Sequence, residues 1–153
     1  MKTKTFDLAT VLSVTTGILL TDIGNVFSIL NYMTGDNLFI HQLSRVSKEC
    51  KPIILDQYPD IANIDSAGVN RENWQEFIDG QIKKFGNEFE IIPIGLFEHN
   101  HIDPIKEILE NILYIEAEAT KGEPDILPSI VHELGDVIDK LRTITKHYEQ
   151  KGE

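Results

Sequence analysis

Four side chains in the first two thirds of this sequence have the chemistry to hold a soft or borderline metal ion: His41, Cys50, His99 and His101. Zinc favours imidazole and thiolate ligands in a four-coordinate arrangement. The segment "EHNH" sets two histidines side by side, with Glu98 and Asp103 as neighbouring oxygen donors. There is no CxxC, and the halves of the set lie about fifty residues apart in the chain, so spacing leaves two readings open. Either the four gather at one zinc ion, or Cys50 is a buried free thiol and the histidines lie on the surface.

A second group is made of carboxylates. Glu107 and Glu110 are three residues apart, as are Glu133 and Asp136, and that spacing puts each pair on one helical face. Two antiparallel helices could close all four around Mg²⁺, which prefers oxygen ligands. The competing reading is a solvated acidic face. "HELGD" is not the zinc-protease HExxH, because position 136 is aspartate. The sequence has no Gly-rich phosphate loop or nucleophile elbow, and no base stands beside Cys50 to activate it.

The elements that must position these groups are mostly helical. Residues 7–16 form a short helix or strand closed by Gly17, and periodicity alone leaves the choice open. Asp22 caps a helix whose buried face is Ile23, Val26, Phe27, Leu30 and Met33. "TGDN" is a turn. Ser44 is placed to cap the next helix with Leu43 as its staple, leaving His41 in the entering loop, and Pro52 is expected to end that helix and open another. Asn70 caps a helix with Trp74, Phe77, Ile78 and Phe85 on its core face, ended by Gly86. Residues 88–94, "EFEIIPI", alternate as a strand whose partner is sought in the N-terminal stretch.

From Asp103 the pattern changes to a helical hairpin. Asp103 and Pro104 mark its start, and Ile105, Ile108, Ile112, Ile115 and Ala119 make one face. "KGEPD" breaks it, and a heptad seam runs from Leu127 to Tyr148. The seam either packs on the preceding helix or joins two copies in a homodimer. The fold class is therefore α+β and mostly α-helical, with a compact unit over 1–102 and an acidic hairpin over 103–153.

Composition narrows the function classes. A chain of 153 residues, 41% hydrophobic, can bury a core without disulfides, and one cysteine suits a reducing compartment. A net charge of −11 argues against direct nucleic-acid binding and suits a basic protein surface. The first twenty residues loosely match a signal peptide, but Asp7 interrupts the apolar run and no cleavage site follows. The run is too short and polar to span a membrane. The expected location is the cytoplasm.

"LSVTTGILL", "NYMTGDNLFIHQLSRVSKECKPIIL" and "EHNHIDPI" resemble a family of small phage and prophage proteins of unassigned activity, over roughly residues 6–106. That resemblance implies that His41, Cys50 and the Glu98–His99 segment belong to one site; Ser44 departs from it, standing where the family usually has proline. The chain is also similar in character to zinc-containing anti-CRISPR proteins. This implies a protein that binds a host type II RNA-guided DNA nuclease and blocks nucleic-acid loading or cleavage, with a structural zinc and no catalysis. The hairpin resembles the MazG-type nucleoside triphosphate pyrophosphohydrolases, which implies the alternative of an Mg²⁺ enzyme using Glu107, Glu110, Glu133 and Asp136.

Overall fold

The computed structural model describes residues 3–94 and 98–119. Among them are five α-helices and a two-stranded antiparallel sheet, a mostly helical α+β fold. The chain divides into two compact units, Met1–His101 and Ile102–Glu153.

In the first unit, β1 (Lys4–Asp7) runs directly into α1 (Leu8–Thr16). Valine and threonine in α1 favour a strand locally, and two caps decide for the helix. The Asp7 side chain accepts from Thr10 N at 2.8 Å, and Gly17 closes the other end in the left-handed conformation, at φ 77°. Residues Leu8 and Thr10–Thr15 are all buried, so this helix forms the centre of the unit, touching α2, α3, α4 and both strands. Its buried hydroxyls are satisfied locally: Ser13 Oγ donates to Ala9 O and accepts from Leu20 N beyond the helix end, and Thr15 Oγ1 donates to Val11 O. Asp7→Ala removes the cap and also the acceptor of Thr10 Oγ1. An expected loss of about 1–2 kcal/mol is read from the denaturant midpoint, and an unchanged midpoint contradicts this role.

Asp22 caps α2 (Ile23–Thr34) by accepting from Gly24 N at 2.7 Å, and Val26, Ile29, Leu30 and Met33 face the core, whereas Ile23, expected on that face, is 40% exposed and Phe27 is only partly buried. A single 3₁₀ turn, Ile40–Gln42, leads straight into α3 (Leu43–Gln57). Here two expectations are corrected. Ser44 lies inside α3 and is not its cap, because the preceding turn already supplies the helical entry. Pro52 does not end the helix. Val46, Cys50 and Ile54, spaced by four, are all fully buried, and that stripe carries the helix through the proline. Pro52 itself is exposed, so the carbonyl it leaves unpaired four residues back can be hydrated.

The next helix, α4 (Trp74–Phe85), is also shifted from expectation. It starts at Trp74 with Asn73 at the cap position, while Asn70 makes a local turn, its Oδ1 accepting from Glu72 N. Ile78 is buried and Trp74 and Phe77 partly so, but Phe85 is 36% exposed and lies off the core face.

β2 (Glu88–Ile91) pairs antiparallel with β1, Phe6 opposite Phe89 and Lys4 opposite Ile91. The expected strand partner is thus the N-terminal stretch. The carbonyls and amide past the outer edge of β2 are taken by side chains. Tyr58 Oη donates to Glu90 O, Tyr32 Oη donates to Ile91 O, and the Gln57 amide exchanges two hydrogen bonds with the Ile92 backbone. Ile94 N then donates to Met33 O, which leads the chain past the end of α2.

In the second unit, α5 (Pro104–Ala119) is capped by Asp103, whose Oδ1 accepts from Ile105 N and Lys106 N. The heptad seam from Leu127 to Tyr148, and with it the expected homodimer contact, lies outside the described residues. Among the described residues no helix is long and apolar enough to cross a membrane.

Candidate metal centre

The "MTGDNLF" segment does its work through backbone geometry. Gly35 closes α2 at φ 75°, a conformation that costs glycine nothing. Asp36 follows at once, its N–H donating to Thr34 Oγ1. The chain is then clamped twice: Asn31 Oδ1 accepts from Leu38 N at 3.1 Å, and Gln42 Oε1 accepts from Phe39 N at 3.1 Å. These contacts fix the Asp36 carboxylate just beyond the end of α2.

Residues 99–101 bring the imidazoles. His101 N donates to His99 O at 3.1 Å, a turn over three residues that places the two histidines together. Two side chains one turn apart on α3 hold this segment. Glu49 Oε1 accepts from Asn100 N at 2.8 Å, and Arg45 Nη1 donates to Asn100 O at 3.2 Å while lying 3.7 Å from Glu49 Oε2.

At the centre, His99 is only 7% exposed and has a carboxylate on each ring nitrogen: Asp36 Oδ2 at 2.9 Å from Nε2, and Glu49 Oε1 at 3.0 Å from Nδ1. His101 Nδ1 lies 2.6 Å from the same Asp36 oxygen, with its ring largely in solvent. One ligand atom each from Asp36, His99 and His101 falls within 4.8 Å of the others. Burial by itself would raise the Asp36 carboxyl, but hydrogen bonds from His101 and His99 outweigh it and hold the group below its usual range. The carboxylate is therefore ionised at neutral pH and available as a ligand.

This arrangement has the parts of a three-ligand metal site. Were a metal ion to replace the Nε2 proton that Asp36 accepts, Glu49 would still accept from Nδ1–H and hold the His99 ring in place, the usual outer-shell device around a metal-bound histidine. Zinc bonds of about 2.0–2.1 Å place tetrahedral ligand atoms roughly 3.3 Å apart. The two short contacts to Asp36 therefore need to open by less than about 1 Å. A fourth position is left to water or an incoming donor.

The structure divides the expected ligands. His99 and His101 converge; His41 and Cys50 stand outside their group. His41 sits in the 3₁₀ turn with its ring stacked against Phe39, centroids 6.2 Å apart. Cys50 is on the core face of α3 with no solvent exposure, while Glu49, the adjacent residue, faces the histidines. Burial, and then the Glu49 charge, push the Cys50 thiol up to about 12. Its place on the core face of α3 sets it apart from the histidines, outside the group that Asp36, His99 and His101 make. Asp36 and Glu49 were not among the expected residues. Asp36 reads as turn chemistry, and Glu49 as one more exposed helix charge. Of the expected Mg²⁺ carboxylates, Glu107 is buried and Glu110 exposed on α5, while Glu133 and Asp136 lie outside the described residues.

A thiol raised in the fold stabilises it fully below its unfolded value, near 9.0, and loses that contribution as pH rises toward 12. Stability above about pH 9 should therefore fall up to roughly 1.4 kcal/mol per pH unit faster in the native chain than in Cys50→Ala. Denaturant midpoints at several alkaline pH values check this, and equal slopes contradict it.

Residues 6–64 match the model of a domain of unknown function, DUF7736, which covers under half of the chain and includes Asp36 and Glu49 but not the two histidines. No curated protein and no solved structure matches the chain.

Proposed function

We propose that the chain is a counter-defence protein that acts by binding, an inhibitor of a type II RNA-guided DNA nuclease whose compact unit is pinned by zinc at Asp36, His99 and His101. The convergence of these three side chains carries the reading. They join the turn after α2 to a segment more than sixty residues later, and Glu49 and Arg45 tie the same segment to α3. A metal ion there would lock surface loops into one shape, which is what a binding surface needs to limit its ordering cost. The partner class is supported by charge. With 25 acidic and 14 basic side chains, the molecule is attracted to a basic channel built for nucleic acid and repelled by nucleic acid itself.

Cleavage of target DNA by a guide-loaded nuclease, with zinc-loaded chain added in increasing amounts, tests the proposal. Cleavage should fall as the chain is added, the two proteins should co-elute, and both effects should weaken at high salt. Unchanged cleavage and separate elution across a set of nucleases spanning the type II subtypes would overturn the partner, while zinc binding is measured separately.

A further inference from the structure

On the other side of α3 lies a cleft of about 420 Å³, within the range of small-molecule sites. Its walls are the end of α1, the start of α2 and one stripe of α3. Val14, Leu19, Ile23, Val26 and Leu43 make it largely apolar, and Leu19 and Ile23 are 57% and 40% exposed there. Exposed aliphatic side chains at a concave surface gain from being covered by an apolar ligand.

The α3 stripe supplies the opposite character. Ser44, Ser47, Lys48 and Lys51 follow the i, i+3, i+4, i+7 pattern of one helical face and all line the cleft. Neither lysine has an acidic residue three or four positions away, and among the described residues neither makes an ion pair. The nearest carboxylate in sequence, Glu49, is engaged by Arg45 and His99. In a chain with an acidic excess of eleven, two unpaired ammonium groups one turn apart repel each other and leave a local positive site. From this we propose that the cleft binds a small amphipathic anion, its aliphatic chain against Leu19, Ile23 and Val26 and its anionic head between Lys48 and Lys51, with the Ser44 and Ser47 hydroxyls as further donors. The cleft shares no residue with the histidine group, so this site stands independently of the zinc.

Decanoate, kept below its micelle-forming concentration and titrated into the ¹⁵N-labelled full chain, is the probe, with decanol as its uncharged counterpart. Saturable shifts are expected at the amides of Leu19, Ile23, Ser47 and Lys48. Because charge-assisted hydrogen bonds are at stake, decanol should bind about tenfold or more weakly, and Lys48→Gln with Lys51→Gln should cost decanoate a similar factor. Both lysines are exposed, so the double variant should fold; Ser47→Phe, which fills the cleft, should abolish the shifts independently. Shifts that never saturate, or equal affinity for decanoate, decanol and the double variant, would overturn the proposal. So would a double variant that loses thermal stability while native protein ignores decanoate, since the lysines would then serve only the carbonyl end of α1.

Discussion

His101→Ala should leave the metal-free protein as stable as the native chain yet abolish the stabilisation by zinc. The reason is the asymmetry of the two histidines. His101 is 67% exposed and makes one contact to Asp36, so its loss costs the bare fold little. As a ligand it is one of three, and a site reduced to two protein donors should bind zinc far more weakly. His99→Ala is expected to act on both counts. It removes two hydrogen bonds from a side chain only 7% exposed and leaves Asp36 and Glu49 facing each other without the ring between them. A cost of about 1–3 kcal/mol follows for the metal-free protein. Native protein at zinc a thousandfold above its dissociation constant gains roughly 4 kcal/mol more, and His99→Ala should forgo that too. Thermal melts with and without zinc, on tag-free protein, read both effects. A zinc-induced shift retained by His101→Ala would exclude the proposed ligand set.

The second large effect concerns the core end of α3. Pro52 removes one backbone hydrogen bond within α3, so the segment after it depends more on its own burial than a continuous helix would. Ile54 is the fully buried residue of that segment, and its carbonyl accepts from Tyr58 N. Ile54→Ala should therefore cost about 2–5 kcal/mol, a large part of the roughly 5–15 kcal/mol available to a domain. Loosening should also spread to the sheet edge, because the same turn carries Gln57 and Tyr58 onto the backbone of Glu90 and Ile92. Hydrogen exchange at the Ile92 amide is the local readout. A change below about 1 kcal/mol would mean that the stripe through Val46, Cys50 and Ile54 is not what holds α3 past the proline.

What the sequence makes legible is local. Asp22 before a 3.6-residue apolar pattern, Gly17 and Gly35 at helix ends, and the alternation of Phe89 and Ile91 each carry their own signal, and the structure follows them. Ser44 and Pro52 mislead because capping and proline rules describe isolated segments, whereas a buried stripe spaced by four overrides both. The site is harder to see for the same reason. "EHNH" announces ligands by residue type, but the partners of His99 are 63 and 50 residues earlier, in a turn and on an ordinary helix face. Cys50 attracts attention by type and Glu49 does not, yet the 100° between consecutive helical residues sends the first into the core and the second to the histidines.

X-ray absorption at the zinc edge of the zinc-loaded, tag-free chain tests the central claim most directly. One zinc per chain with a single nitrogen and oxygen shell at about 2.0–2.1 Å is the expected result. A sulfur shell near about 2.3 Å would place Cys50 on the metal, and protein that holds no zinc after dialysis would leave His99 as a hydrogen-bonded bridge between two carboxylates; either result contradicts a centre built from Asp36, His99 and His101.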